Sequence, residues 1–283
     1  MRTNTLAFFL FAVFTCCISR HLSAQILHGT NPEKRVAALA STVPDAFAKG
    51  YLGTVGGGLT FQHKTRLGSA DANVALSAGL GNPEKLIGVD LRLNIYGTGS
   101  STGAPGNFGE GTLELHLSRM VSKRFWVGAG VHDLVGWRQE PPNKLNSIYL
   151  TGTTVLSLKK DENSAFAFCY LTAGVGNGRY RTDEKYTLEE ESPFGVFGSA
   201  AVQVLPQGNF IVEWTGYNMF TGVSVFPFKK FPGQIVIGVD DLLEKQKRFV
   251  VAISGGLHFF KHKNSTYRFL SVPPPPAPQT SRI

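Results

Sequence analysis

The sequence predicts an all-β chain folded as a closed, antiparallel transmembrane β-barrel of about twelve strands. Three observations lead there: a two-residue hydrophobic period along most of the chain, a low and unevenly placed charge, and an apolar leader. The bulk composition bounds the reading first. The chain has 283 residues, of which 17% are charged and 32 are Gly. Soluble domains usually carry about a quarter charged residues. This profile excludes a coiled coil, a disordered chain and an ordinary α/β enzyme. The formal net charge is +8. Lys and Arg are scattered among the connections and form no stripe, so nucleic acid is not an expected partner.

The leader comes first in the chain. Met1-Arg2 opens a short polar region, Leu6 to Cys17 is a nearly unbroken apolar run, and Leu22-Ser23-Ala24 supplies small residues for a peptidase. Residues 1–24 therefore read as a secretory signal peptide cut after Ala24, the apolar run being too short to span a bilayer comfortably. A lipoprotein reading of Cys16 or Cys17 is weaker, because Phe14-Thr15 makes a poor lipobox. Cleavage leaves Cys169 alone, so the mature chain holds no internal disulfide. Outside the leader, no stretch approaches the roughly 18 apolar residues of a membrane helix, so a membrane location requires a barrel.

The strands follow from Thr54 onward. Between Leu86 and Tyr96, Ile87, Val89, Leu91, Leu93 and Ile95 share one phase, while Gly88, Asp90, Arg92 and Asn94 share the other. Side chains alternate across a strand, so the stretch has one apolar and one polar face. The same alternation sets Val74, Leu76, Ala78 and Leu80 against Asn73, Ala75, Ser77 and Gly79. It returns with Leu113, Leu115 and Leu117 against Glu114, His116 and Ser118, and again from Phe249 to Phe259. The segments fall at 54–62, 72–80, 86–96, 111–119, 124–134, 147–158, 165–175, 194–204, 209–216, 219–226, 233–240 and 248–260. Most have the roughly 9–11 residues of a transmembrane strand rather than the 5–6 of a soluble one.

Connections and charges agree. Tight turns at 81–85, 120–123, 160–164 and 206–208 alternate with longer loops near 97–110, 135–146 and 176–193. Barrels place short periplasmic turns opposite long outer loops in this way. Segments 54–62, 72–80, 165–175, 194–204, 219–226 and 249–260 contain no Lys, Arg, Asp or Glu. A soluble sandwich would decorate its wet face with charge. Aromatics suggest two belts at headgroup level. Phe61, Tyr96, Tyr149, Phe194, Trp214, Phe220 and Phe249 mark the outer one, and Phe125, Phe166, Phe210, Phe226, Phe228 and Phe259 the inner one.

Two flanks lie outside the barrel, which is assigned to 51–262. Residues 25–50 read as a periplasmic lead-in, with a short helix around 35–40; a plug is the alternative. Residues 263–283 hold Pro273-Pro274-Pro275-Pro276 and read as a disordered polyproline tail.

The segments Gly81-Asn82-Pro83-Glu84-Lys85 with Ile87 to Tyr96, Gly174 to Tyr180, and Phe210 to Phe228 resemble poorly characterised bacterial outer-membrane β-barrel proteins. The resemblance spans roughly Tyr51 to Phe260 and implies a bacterial outer-membrane location, with the lipid bilayer and the outer-membrane assembly machinery as partners. It implies no activity. The aromatic pair Phe259-Phe260 precedes a long tail, which makes the assembly signal internal.

Candidate chemistry is sparse. Gly174-Val175-Gly176-Asn177-Gly178 has a glycine-rich spacing, but a dinucleotide fingerprint needs a following helix. A charged loop follows instead. His116, His132 and His258 share the polar phase with Asp90 and Glu114. With Arg92 and Glu213 they form the expected lumen lining of a small pore, of mixed sign and hence without strong ion selectivity. Arg92 and Glu114 are an expected pair. No metal and no cofactor is expected, and the chain is read as non-enzymatic. The rivals are a lipid-modifying barrel enzyme, which needs Ser and His on the lipid face, and a secreted soluble β-sandwich or ligand-binding barrel. The leader gives the first prediction: N-terminal sequencing of the exported protein begins at Gln25.

Overall fold

A computed structural model describes residues 36–64, 70–96, 110–137, 146–180, 194–227, 233–243 and 247–259. The leader 1–24, the tail 263–283, Phe228 and most of the three longer loops lie outside those residues. Twelve strands form one closed ring in which each pairs antiparallel with its sequence neighbours and β1 seals against β12. They are β1 (Thr54–Gln62), β2 (Asp71–Gly79), β3 (Gly88–Tyr96), β4 (Glu110–Ser122), β5 (Phe125–Trp137) and β6 (Ser147–Ser157), followed by β7 (Phe168–Gly176), β8 (Gly195–Leu205), β9 (Gly208–Trp214), β10 (Met219–Val225), β11 (Gly233–Asp240) and β12 (Arg248–His258). Closure leaves no unpaired strand edge. The seam runs in unbroken register from Thr54 opposite His258 to Gln62 opposite Val250.

The expected segments coincide with these strands within a few residues. The departures have local causes. β4 and β5 run on to 13 residues each, past a slip in register between Leu113 and Leu115. β7 starts at Phe168 because Phe166, just before it, takes a left-handed backbone with φ 61°. Residues 36–40 form no helix.

Polarity is inverted relative to a soluble domain. In β6, Ser147, Tyr149, Thr151 and Thr153 point inward and are buried, while Ile148 and Leu150 point outward and are exposed. Leu150 is 59% exposed and Val196 64%, whereas Thr153 is 0% exposed. The expected belts hold at Phe61, Phe194, Trp214 and Phe249 on one rim and at Phe125, Phe166, Phe210 and Phe259 on the other, all of them exposed. Tyr149, Phe220 and Phe226 are corrections: all three are buried. Tyr149 shares the inward phase of Thr151, and Phe226 packs on Ala37.

The inward aromatics explain many of the glycines. A Cβ on Gly174 would lie 2.2 Å from the Phe197 ring of the next strand, one on Gly130 2.3 Å from Tyr149, and one on Gly238 2.4 Å from Phe220. Each of these side chains reaches over a glycine of a neighbouring strand, into space that a side chain there would otherwise take.

The interior also contains chain. Residues 36–50 form a bent segment inside the ring. It begins beside Asn209 and Gln234 near the turn end, rises to an apex at Ser41–Val43, and descends past Thr153 and Ser118. The Gly50 carbonyl accepts the amides of Gly81 and Val89, which delivers the chain to β1. A free periplasmic lead-in is therefore corrected for residues 36–50; they occupy the bore. Ala38, Leu39, Ala46, Phe47 and Ala48 form one apolar core with Trp126, Val155, Phe168, Tyr170, Ala201, Ile211, Val236 and Val250 from the wall.

Replacing Gly174 by Val displaces the Phe197 ring and lowers stability by about 1–3 kcal/mol, the usual cost of overpacking. Gly57→Val, which meets only Leu76 Cδ2 at 3.4 Å and Ala75 O at 3.6 Å, leaves stability nearly unchanged. Urea midpoints of the two variants in one detergent separate these outcomes.

Candidate functional site: the plugged lumen

The site is the inner wall and the segment seated on it. Strand alternation aims polar side chains at the bore, and the plug's backbone, lacking secondary structure of its own, needs partners for its amides and carbonyls. Seven wall side chains supply them. Asn209 Nδ2 donates to Ala37 O at 2.9 Å, Ser224 Oγ to Ala38 O at 2.8 Å, Thr151 Oγ1 to Pro44 O at 2.9 Å and Ser118 Oγ to Lys49 O at 2.7 Å. Gln234 Oε1 accepts from Ala38 N at 3.0 Å and Thr153 Oγ1 from Ala46 N at 2.9 Å. Glu213 takes the apex.

Glu213 lies near the long-loop end of β9 and is 1% exposed. Its carboxylate accepts the amides of Ser41 at 2.6 Å, Thr42 at 3.0 Å and Val43 at 3.1 Å, and the Thr42 hydroxyl as well. Bonds from amides to an ionised carboxylate are about twice as strong as neutral ones. Here they replace water around a buried carboxyl group. Lower down, Phe47 inserts between Trp126 and Tyr170, with ring centroids at 5.4 and 5.6 Å and edge-on geometry.

Beside the apex, Val43 packs on Tyr149, Tyr180 and Phe197. These rings belong to a polar cluster. Tyr149 stacks between His116 and His132, at 5.8 and 4.8 Å. His116 Nδ1 is 2.7 Å from the Tyr149 hydroxyl, and His132 Nε2 is 2.8 Å from that of Tyr180. Tyr180 follows β7 in a short 3-10 turn, Gly178–Tyr180. Burial, and next the neighbouring Tyr149, pushes its ionisation upward. It therefore stays a hydroxyl beside Nε2. The other ring nitrogen of His132, Nδ1, lies 3.0 Å from Glu114 Oε1. Arg179 approaches the same carboxylate oxygen at 3.7 Å and binds Asp133 at 2.8 Å.

A local irregularity builds this cluster. Across the slip in β4–β5 pairing, the residues 132–134 stand against Glu114 alone, and Asp133 has φ 55°. Such bulges re-aim side chains. His132 keeps the inward phase of Gly128 and Gly130, and the bulge turns Asp133 to Arg179.

Of the expected lumen residues, Asp90, Arg92, Glu114, His116 and His132 come together on β3, β4 and β5. Asp90 stands opposite His116, and Arg92 opposite Glu114. Glu213 lies on β9 and holds the plug. His258 is half-buried at the turn end of β12, opposite Thr54. Sequence reasoning missed Tyr149, Tyr180, Asp133 and Arg179. Only Tyr149 had a usable signal, its shared parity with Thr151 and Thr153.

The wall is not covered evenly. Thr112, Thr151, Thr153 and Ser224 are fully buried, whereas the inward Thr60, Asn73, Ser77 and Ser254 of β1, β2 and β12, with Arg92 of β3, remain half-buried.

No family model and no curated protein matches the chain. Solved structures that align with it include a KdgM porin and a KdgM porin in complex with disordered oligogalacturonate. Each is 12% identical over 72% of this chain and 99% of the other, with a TM-score of 0.44. A likeness so distant transfers no solute to this chain; the barrel rests on its own strand pairing.

Glu213→Ala strips the apex of its acceptor and weakens the hold on it by about 3 kcal/mol, the scale of losing hydrogen bonds to a charged group. Hydrogen exchange at the amides of Ser41, Thr42 and Val43 then speeds by about a hundredfold, while amides in the β1–β12 seam keep their protection.

Proposed function

We propose that this chain is an integral protein of the bacterial outer membrane, without enzymatic activity, that serves as a narrow pore for small solutes restricted by its own plug. The observation that carries the membrane reading is the inverted polarity. Large apolar side chains cover the outside of a closed ring and polar ones line the inside, which suits a barrel surrounded by lipid. A soluble sandwich or ligand-binding barrel would expose the reverse. In this reading residues 1–24 are the export signal and the outer-membrane assembly machinery inserts the barrel.

Support for a pore comes from the half-buried polar wall of β12, β1 and β2. The plug is held by side chains of β4, β6, β9, β10 and β11 and shares its apolar core with Val250 and Ala252 of β12, leaving Thr60, Asn73, Ser77 and Ser254 half-buried. Arg92 faces the bore beside it, in the same interior as Asp90, Glu114 and Asp45. The mixture of signs suits small solutes over one class of ion. The histidines favour a non-enzymatic reading over a lipid-modifying one. His116 and His132 sit inside the ring, bonded to tyrosines, where a bilayer lipid does not reach.

Single-channel recording of the purified, heat-shifting protein in planar bilayers tests this. The expected result is small, discrete conductance steps, with Arg92→Glu moving the reversal potential toward cation preference. A barrel that inserts and shifts on boiling yet never conducts would make it a sealed structural element. Conductance indifferent to Arg92→Glu would place the path elsewhere in the bore.

A further inference from the structure

We propose that the inner wall facing residues 36–50 is an exchangeable binding site for an extended polypeptide of small apolar residues carrying one aromatic, and that residues 36–50 are its resident occupant. The way the wall holds the plug points to this. All seven wall side chains described above bond plug backbone atoms, Glu213 adding the Thr42 hydroxyl. Main-chain hydrogen bonds supply affinity for any extended chain, and side-chain pockets supply the choice among them. The pocket here is the Trp126–Tyr170 slot that takes Phe47.

The occupant fits that reading. Its sequence from Val36 to Gly50 is mostly Ala, Ser, Thr, Val and Leu. Its two charges answer each other, Lys49 Nζ lying 2.9 Å from Asp45 Oδ2. The wall's hydrogen bonds thus read backbone and its Trp126–Tyr170 slot reads one ring, while Asp45 shares the interior with Arg92. The segment rises from the turn end and returns to it, so it withdraws without threading any part of the chain through the bore. A tethered occupant faces an effective concentration in the millimolar range. A second peptide enters when the resident's hold is loosened.

The proposal does not rest on conduction, because occupancy is measured on the detergent-solubilised barrel. The probe is a fluorescein-labelled synthetic peptide with the sequence of residues 36–50, read by anisotropy against full-length Phe47→Ala protein. Expected is saturable binding, about tenfold weaker to the unmodified protein, whose site is filled. Replacing the phenylalanine of the peptide by alanine, or adding Glu213→Gln to the protein, weakens binding by a similar factor. Binding indifferent to both changes, or no binding, overturns the proposal. If Phe47→Ala gives no heat-shifting barrel, the unmodified protein is incubated for days with excess labelled peptide. Slow, saturable uptake then supports exchange, and its absence overturns it. Peptide uptake by a barrel that never conducts leaves this proposal standing and removes the pore reading, so the two fail separately.

Discussion

A ring of twelve strands encloses more space than its own inward side chains can fill. Rings of about eight strands are just closed by their lining, and larger ones hold a ligand, a plug or water. This constraint organises the interior here. The bore must be occupied or wet, and over most of its wall it is occupied by residues 36–50. That segment brings backbone amides and carbonyls into a place with little water. A buried polar group left without a partner costs about 1–3 kcal/mol, so the wall must supply partners at fixed heights. Asn209, Ser224, Gln234, Glu213, Thr151, Thr153 and Ser118 do so. The polar phase of the strands is thus a template for one bent chain rather than a generic wet lining.

Glu213 is where that template concentrates. A carboxyl group inside a narrow bore is expensive unless its oxygens are fully engaged. Three consecutive amides and a hydroxyl from the plug apex engage them. Each half of the contact is costly alone: the apex without the carboxylate has unpaired donors, and the carboxylate without the apex has no solvation. The polar cluster beside it follows the same logic. Glu114 is served by His132 and Arg179, and the histidine is in turn fixed by Tyr180. The apolar contact of Val43 with Tyr149, Tyr180 and Phe197 joins the two arrangements into one upper seat.

Much of this was legible in the sequence, and the reason is the period of two. Alternation, with the spacing of the turns, gave about twelve strands and the inward phase, because a strand offers only two faces. Asp90, Arg92, Glu114, His116 and Glu213 were placed by that parity. The plug was not legible. Residues 36–50 have neither period, and an apolar, Ala-rich stretch reads equally as a helix or a loop; what gives it a place is the complementarity of a wall assembled from distant residues. Tyr149, Phe220 and Phe226 were misplaced because aromatic identity was weighted over position in the strand. Their rings sit inside where small neighbours make room: Gly130 under Tyr149, Gly238 and Gly222 under Phe220. The Glu114–His132–Arg179–Asp133 arrangement depends on a slip in β4–β5 register and a left-handed Asp133, neither of which alternation encodes.

The uneven filling of the bore is itself written in residue size. Where the plug lies, the wall carries residues large enough to pack on it, such as Trp126, Tyr170, Phe220 and Ile211, or polar groups placed to bond it. Along β1 and β2, and at Ser254 of β12, the inward positions include the small Thr60, Gly58, Asn73, Ala75 and Ser77, whereas Val250 and Ala252 of β12 join the plug's core. A wall evolved only to be filled would have no reason for this division, because a bulkier lining there would bury more apolar surface at about 25 cal/mol per Å². Small inward residues forgo that gain and leave width. The same ring therefore carries one side that holds a chain and one side lined by small residues, and the plug's path from the turn end and back decides which side is which.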